Sequence, residues 1–212
     1  MNRSKALAED HPALIEAFER LGARVRFDRE AEIYAQDDEA EMFYRVISGV
    51  VRTSKLTLDG RRQVGDFYYA GALVGLEPGP KHRFAAEALT ACELQVVRRS
   101  AVQAFAGEAA VDRAILQAAA REMDRLQDHV MLLGRRSARE RVATFLLTLA
   151  QREPTAPVDM PMGRQDMADY LGLTIETVSR MLTQLQGEAI VEFPSNRRFQ
   201  VRKWGALEAM AA

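Results

Sequence analysis

Gln165-Asp166-Met167-Ala168-Asp169-Tyr170-Leu171-Gly172-Leu173-Thr174-Ile175-Glu176-Thr177-Val178-Ser179-Arg180-Met181 holds two short apolar periods on either side of a glycine. Met167, Ala168 and Leu171 share one face of a first helix, and Leu173, Val178 and Met181 make the inward face of a second. Gly172 supplies the positive φ at which the chain reverses. The spacing predicts a helix-turn-helix. It leaves Ile175, Glu176, Thr177 and Arg180 pointing outward from the first turns of the second helix, the part that a DNA-binding helix offers to the major groove.

Downstream, Ile190-Val191-Glu192-Phe193, a Pro194-Ser195-Asn196 turn and Phe199-Gln200-Val201 predict a hairpin, which makes the C-terminal domain a winged helix. The wing carries Arg197 and Arg198. With Arg164, Arg180, Arg202 and Lys203 they could form a rim that grips phosphates. The competing reading is an ordinary solvated surface, because the formal net charge of the whole chain is only -1. Upstream, Ser137-Ala138-Arg139-Glu140 has capping-box spacing and opens the domain. Its first helix turns Val142, Phe145, Leu146 and Leu149 inward, and Pro154 to Pro157 close it.

Between Ser100 and Gly134 the pattern is helical, and Leu116, Ala119, Met123, Leu126, Val130 and Leu133 recur at alternating steps of three and four. That is the a/d seam of a coiled coil. Packing within the chain is the alternative. The narrowness of the stripe and the charged and polar residues on the other faces, Arg121, Glu122, Asp124, Arg125, Gln127 and Asp128, favour self-association. From Glu32 to Arg98 short strands alternate with turns: Met42–Ile47, Val50–Leu56, Arg61–Val64, Phe84–Leu89 and Cys92–Val97. Such spacing suggests a sandwich or barrel.

The 212 residues, 48% hydrophobic, can bury two modest cores. No run of about 18 apolar residues suits a membrane span, and Met1 to Asp10 lacks the apolar centre of a signal peptide, so a cytoplasmic protein without membrane contact is expected. Cys92 is the single cysteine, which excludes an intrachain disulfide and a four-cysteine iron–sulfur cluster. A buried structural thiol is expected.

An α+β chain with an N-terminal β-roll (1–107), a long helix (108–136) and a winged helix-turn-helix (137–212) resembles the CRP/FNR superfamily of bacterial transcription regulators. Glu176-Thr177-Val178-Ser179-Arg180 carries the likeness. Met160-Pro161-Met162 and Asp169 to Arg180 are similar to the FixK-type branch, whose members act in low-oxygen regulatory cascades. The resemblance implies a β-roll of the cyclic-nucleotide-binding jelly-roll type, a homodimer joined by the seam, and an activator that reads a TTGAT-type inverted repeat. It assigns Glu176, Ser179 and Arg180 to the recognition pattern. The chemistry agrees: Arg donates a fork to guanine, Glu accepts from cytosine, and Thr meets a thymine methyl. Docking protein instead of DNA is the alternative use of such a motif.

The sensor side reads differently. In cAMP-binding relatives a Gly-Glu and an Arg-Ser pair hold ribose and cyclic phosphate. Here the corresponding stretches are Gly75-Leu76 and His82-Arg83-Phe84, which keep neither pair, although Glu77 and Arg83 lie nearby. His11, His82 and His129 are scattered singles, so haem ligation by His82 is a weaker reading than a polar surface loop. No cofactor or metal is expected, and a cupin-like metalloenzyme is the remote third reading. The β-roll is expected to be a structural platform, with control through abundance, proteolysis or modification. By resemblance, RNA polymerase would be met through Thr57 to Arg61 and Gln151 to Thr155.

Overall fold

The computed structural model describes residues 12–58, 60–135, 137–152 and 157–211. Two compact units form, one ending at Arg125 and one beginning at Leu126. Each follows from its own pattern of burial.

The first unit opens with helix α1 (Pro12–Leu21), which buries Leu14, Ile15, Ala17 and Phe18. Eight strands follow: β1 (Ala23–Phe27), β2 (Glu32–Tyr34), β3 (Met42–Ser48), β4 (Val50–Leu56), β5 (Arg62–Tyr69), β6 (Leu73–Val74), β7 (Ala85–Ala88) and β8 (Cys92–Arg98). They form two four-stranded sheets, ordered β1-β8-β3-β6 and β2-β7-β4-β5, with every neighbour antiparallel. Short strands closing two facing sheets are the β-roll that the turn spacing anticipates. Gly49 makes the β3–β4 reversal at φ +83, and a Cβ there would stand 2.4 Å from the Ala91 carbonyl. Only glycine suits both conditions. β1 lies ahead of the first strand read from sequence, since most of its residues are exposed and its charges mask the alternation.

Helices α2 (Arg99–Ala106) and α3 (Glu108–Arg135) follow the roll. The first turns of α3 bury Val111, Ala114 and Ile115 in one cluster with Phe18, Phe43, Val97 and Val102. Apolar side chains on that face are held by the roll. The a/d stripe lies elsewhere: Leu116 is 69% exposed, Met123 62%, Leu126 46% and Val130 65%, while Ala119 and Leu133 are half-buried. Exposed apolar residues at this density, on one helix face, form an apolar strip that the described residues leave uncovered.

The second unit contains α4 (Ala138–Arg152), β9 (Val158–Asp159), α5 (Arg164–Leu171), α6 (Ile175–Gly187), β10 (Val191–Ser195), β11 (Arg198–Val201) and α7 (Trp204–Ala211). Ser137 caps α4 as its spacing predicts: the Glu140 amide donates to its hydroxyl at 3.3 Å, and the Ser137 amide donates to the Glu140 carboxylate at 2.7 Å. Val142, Phe145, Leu146 and Leu149 are buried, each contributing about 1.5–3 kcal/mol of apolar burial. The expected closing residues Pro154 to Ala156 lie outside the described residues. β9 adds a third strand to the wing, in the order β10-β11-β9. Two residues carry no period by which it could be read in advance.

Candidate nucleic-acid interface

The motif is built as its apolar spacing requires. Met167, Ala168 and Leu171 are fully buried on α5, and Val178, Leu182 and Leu185 on α6. Leu182 and Leu185 continue the Val178 period by steps of four and three, so the apolar signal of the motif extends past Met181. Leu173 and Met181 are half-buried at the edge of that face. Asp166 accepts from the Gly163 amide at 3.0 Å and closes the start of α5. Gly172 ends α5 at φ +61, ψ +42, the left-handed region in which a side chain costs about 1–2 kcal/mol.

Thr174 caps α6, its hydroxyl accepting from the Thr177 amide at 3.2 Å. Glu176 follows in the first turn, fully exposed. Its own amide holds the carboxyl below its ordinary pKa, with the Thr174 hydroxyl adding to the effect. A carboxylate at a helix N-terminus is also favoured by the helix dipole. Ile175 is 37% exposed, Arg180 is exposed, and Thr177 and Ser179 are half-buried between them. Arg164, on the first turn of α5, donates to the Ser179 hydroxyl at 3.2 Å. The edge therefore offers a guanidinium, a carboxylate, two hydroxyls and an aliphatic group. These chemistries discriminate base edges.

The wing departs from a simple basic rim. Arg198 pairs with Asp159 at 2.7 Å and Arg202 with Glu192 at 2.7 Å, so two of its cations already face carboxylates. Lys203 donates to the Glu188 carbonyl at 2.8 Å, and Arg197 donates to the Pro161 carbonyl. Among the described residues, Arg164, Arg180, Arg197 and Lys203 carry the positive charge here that faces no carboxylate. Sequence order put the arginines near the motif; which of them meet acids was decided by strand pairing.

The interior of the roll corrects the reading of His82 as a polar surface loop. His82 is 1% exposed and stacks on Tyr34 at 3.7 Å between ring centroids, with Nδ1 3.8 Å from a Glu77 carboxylate oxygen. Tyr44 packs on Tyr34 at 5.3 Å. Tyr34 and Tyr44 join Val46, Val51, Ala86 and Ala88 in one core, with Tyr68 packed against it. Burial raises the pKa of Tyr34, with the neighbouring phenols and Glu77 adding to it, and burial likewise raises that of Tyr68. Tyr34, Tyr44 and His82 thus stand together inside the roll. Arg125 of α3 lies over the Tyr68 ring and binds Asp66 of β5 at 2.8 Å, with Glu122 as a second partner. Burial pulls its pKa down, but Asp66, Tyr68 and Glu122 outweigh that, and the net shift is upward.

Cys92 is buried, its thiol donating to the Val50 and Thr90 carbonyls, and burial raises its pKa. Among the described residues no group of three His, Cys, Asp or Glu side chains is placed to hold a metal ion. Among them, too, no helix is long and apolar enough to cross a membrane.

A β-roll, a long helix with an exposed apolar stripe, and a winged helix-turn-helix with a polar reading edge define a class. Residues 24–108 match the family described as cyclic nucleotide-binding domain, and residues 140–210 the family described as Crp-like helix-turn-helix domain. The chain belongs to the CRP/FNR family of transcription regulators, and its helix-turn-helix is a DNA-binding domain. Its relatives by sequence are transcription regulators, which leaves the cupin-like alternative without support.

Within that family it is closely related to FixK. It is 45% identical to the nitrogen fixation regulation protein FixK of Azorhizobium caulinodans, over 90% of this chain and 79% of that protein. It is 40% identical to the transcriptional activatory protein AadR of Rhodopseudomonas palustris, over 85% and 78%. The structure of FixK2 from Bradyrhizobium japonicum superposes with a TM-score of 0.85 at 42% identity, covering 91% of this chain and 98% of that one.

Proposed function

We propose that the protein is a cytoplasmic, homodimeric activator that reads a TTGAT-type inverted repeat in low-oxygen gene control and needs no small effector. One observation carries the reading: α6 buries Val178, Leu182 and Leu185, and so presents Ile175, Glu176, Thr177, Ser179 and Arg180 along one accessible edge. Arg180 forks to guanine, Glu176 accepts from cytosine, and Thr177 and Ile175 meet thymine methyls. Arg164, Arg197 and Arg198 contact phosphates and set register, Arg198 exchanging Asp159 for a phosphate as DNA arrives.

Leu116, Ala119, Met123, Leu126, Val130 and Leu133 form the dimer seam, which places two α6 helices about 34 Å apart on adjacent turns of a palindrome. The exposure of Leu116, Met123, Leu126 and Val130 supports this use. Leu133 is partly committed to the motif, lying 3.4 Å from the place of a Cβ at Gly172. Independence from an effector is supported by the lack of both the Gly-Glu and the Arg-Ser pair at Gly75-Leu76 and His82-Arg83-Phe84. Activation is favoured by the relationship to AadR, and RNA polymerase would be met through the β4–β5 turn, where Leu58 is fully exposed. Asp59 of that turn, and Glu153 to Thr155 of the second candidate loop, lie outside the described residues.

Fluorescence anisotropy on a TTGAT-N4-ATCAA duplex, without added ligand, tests the reading. Tight binding that is lost on scrambling the half-sites at physiological salt is expected; equal affinity for both would refute it. A ligand-gated regulator is the second reading, favoured by the match of residues 24–108 to cyclic nucleotide-binding domains. It predicts that cyclic nucleotide or haem raises operator affinity, and titration of each in the same assay separates the two.

A further inference from the structure

Arg141 stands in the first turn of α4. Its Nη2 donates to the Leu133 carbonyl at 2.5 Å and its Nη1 to the Leu171 carbonyl at 3.1 Å. Both acceptors lie in last helical turns, of α3 and of α5, where carbonyls lack intrahelical donors and carry partial negative charge. One guanidinium thus ties the end of the stripe-bearing helix to the end of the motif's first helix. Packing runs along the same line: the rings of His129 and Tyr170 lie 4.5 Å apart, and Leu133 meets the Gly172 turn. From α5, orientation passes to α6 through the short turn at Gly172 and through the Arg164–Ser179 bond.

We infer that Arg141 is a positioning residue that sets the half-site spacing the protein reads. The inference rests on the proposed reading of palindromic DNA. Each base pair added between half-sites moves one of them by about 3.4 Å and turns it by roughly 34–36°. A dimer distinguishes spacers only if each α6 is held firmly to the helix that forms the seam. Without the guanidinium the reading edge is intact, but its tie to that helix is loosened.

The test measures affinity of the wild type and of Arg141→Met for duplexes with TTGAT and ATCAA separated by three, four or five base pairs, and for a single half-site. A residue that merely stabilises the fold lowers all four affinities in proportion to the folded fraction. The wild type is expected to favour the four-base-pair spacer by about tenfold or more, and Arg141→Met to narrow that ratio to about threefold or less with half-site affinity within about twofold of wild type. Equal binding to all spacers by the wild type, or an undiminished ratio in the variant, overturns the inference. Arg141→Lys keeps the charge but not the two-pronged donation; it is expected to fall between the two. Should Arg141→Met fail to fold, a wild-type ratio in Arg141→Lys overturns the inference. Loss of preference for TTGAT over scrambled DNA in the wild type would instead refute the DNA reading itself.

Discussion

Replacing Gly172 gives a graded test of the turn that makes the motif. The residue sits at φ +61, ψ +42, and the place of an added Cβ is 3.4 Å from Leu133 Cδ2 and 3.8 Å from Arg141 Nη1. Those distances are ordinary contact to slightly tight, so Gly172→Ala is charged for backbone conformation far more than for collision, about 1–2 kcal/mol. Gly172→Asn should cost less, because asparagine enters the left-handed region more readily. Gly172→Val should cost more, since its branch adds bulk beside Leu133 and stiffens χ1. The chain has one tryptophan, Trp204 on α7, 41% exposed and inside the second unit. Its fluorescence during urea or thermal unfolding therefore reports the unit that contains the turn. A shift of roughly 4–8 °C for each kcal/mol is expected for a unit of this size. The order Gly, Asn, Ala, Val in falling stability is the expected result; Gly172→Ala as stable as the wild type would refute the reasoning, because a strained left-handed turn has to resist a Cβ.

Arg180→Ala should lower operator affinity by about 1–3 kcal/mol, and abolish preference at one base pair of each half-site, as measured by anisotropy on singly substituted duplexes. Val130→Glu places like charges across the proposed seam and should convert the dimer to monomer in sedimentation equilibrium; a dimer of unchanged affinity would show that the stripe is not the interface. The Glu176 carboxyl has its pKa lowered in the folded state, so its contribution to stability is present above the ordinary carboxylate pKa and is lost as pH falls through the lowered value. Thr174→Ala removes one of the two groups that lower it, and carbon-detected NMR titration should find the Glu176 pKa moved up; an unmoved value would show that the Thr174 hydroxyl plays no part. Gly49→Ala should destabilise the roll more than Gly172→Ala destabilises the motif, because its Cβ would meet the Ala91 carbonyl at 2.4 Å in addition to the positive φ; circular dichroism melts of both variants check the order.

The local elements were legible where a single face is buried. Val142, Phe145, Leu146 and Leu149 on α4, and Met167, Ala168, Leu171 and Val178 in the motif, repeat at helical spacing because each helix meets the core along one stripe. Strands β4 and β8 were legible from β-branched runs that end in turns. β1 was hidden by its exposure, β9 by its length, and α7 by an alanine-rich stretch in which Leu207 alone is fully buried. Burial of His82, a lone polar ring, depends on Tyr34 arriving from another strand, an event without a mark in the sequence around residue 82.

By itself the sequence determined the order of modules, the two-helix motif with its glycine turn, the outward placement of Glu176 and Arg180, and kinship with the CRP/FNR family. Those properties rest on local φ/ψ preference and on the period at which apolar residues recur. Tertiary structure decided the rest: that His82 is buried against Tyr34, that Arg198 and Arg202 face acids, and that Arg141 bonds two helix ends at once. Each of these joins residues far apart in the chain. A pairing of that kind is set by which strands and helices become neighbours, so no local period in the sequence carries it.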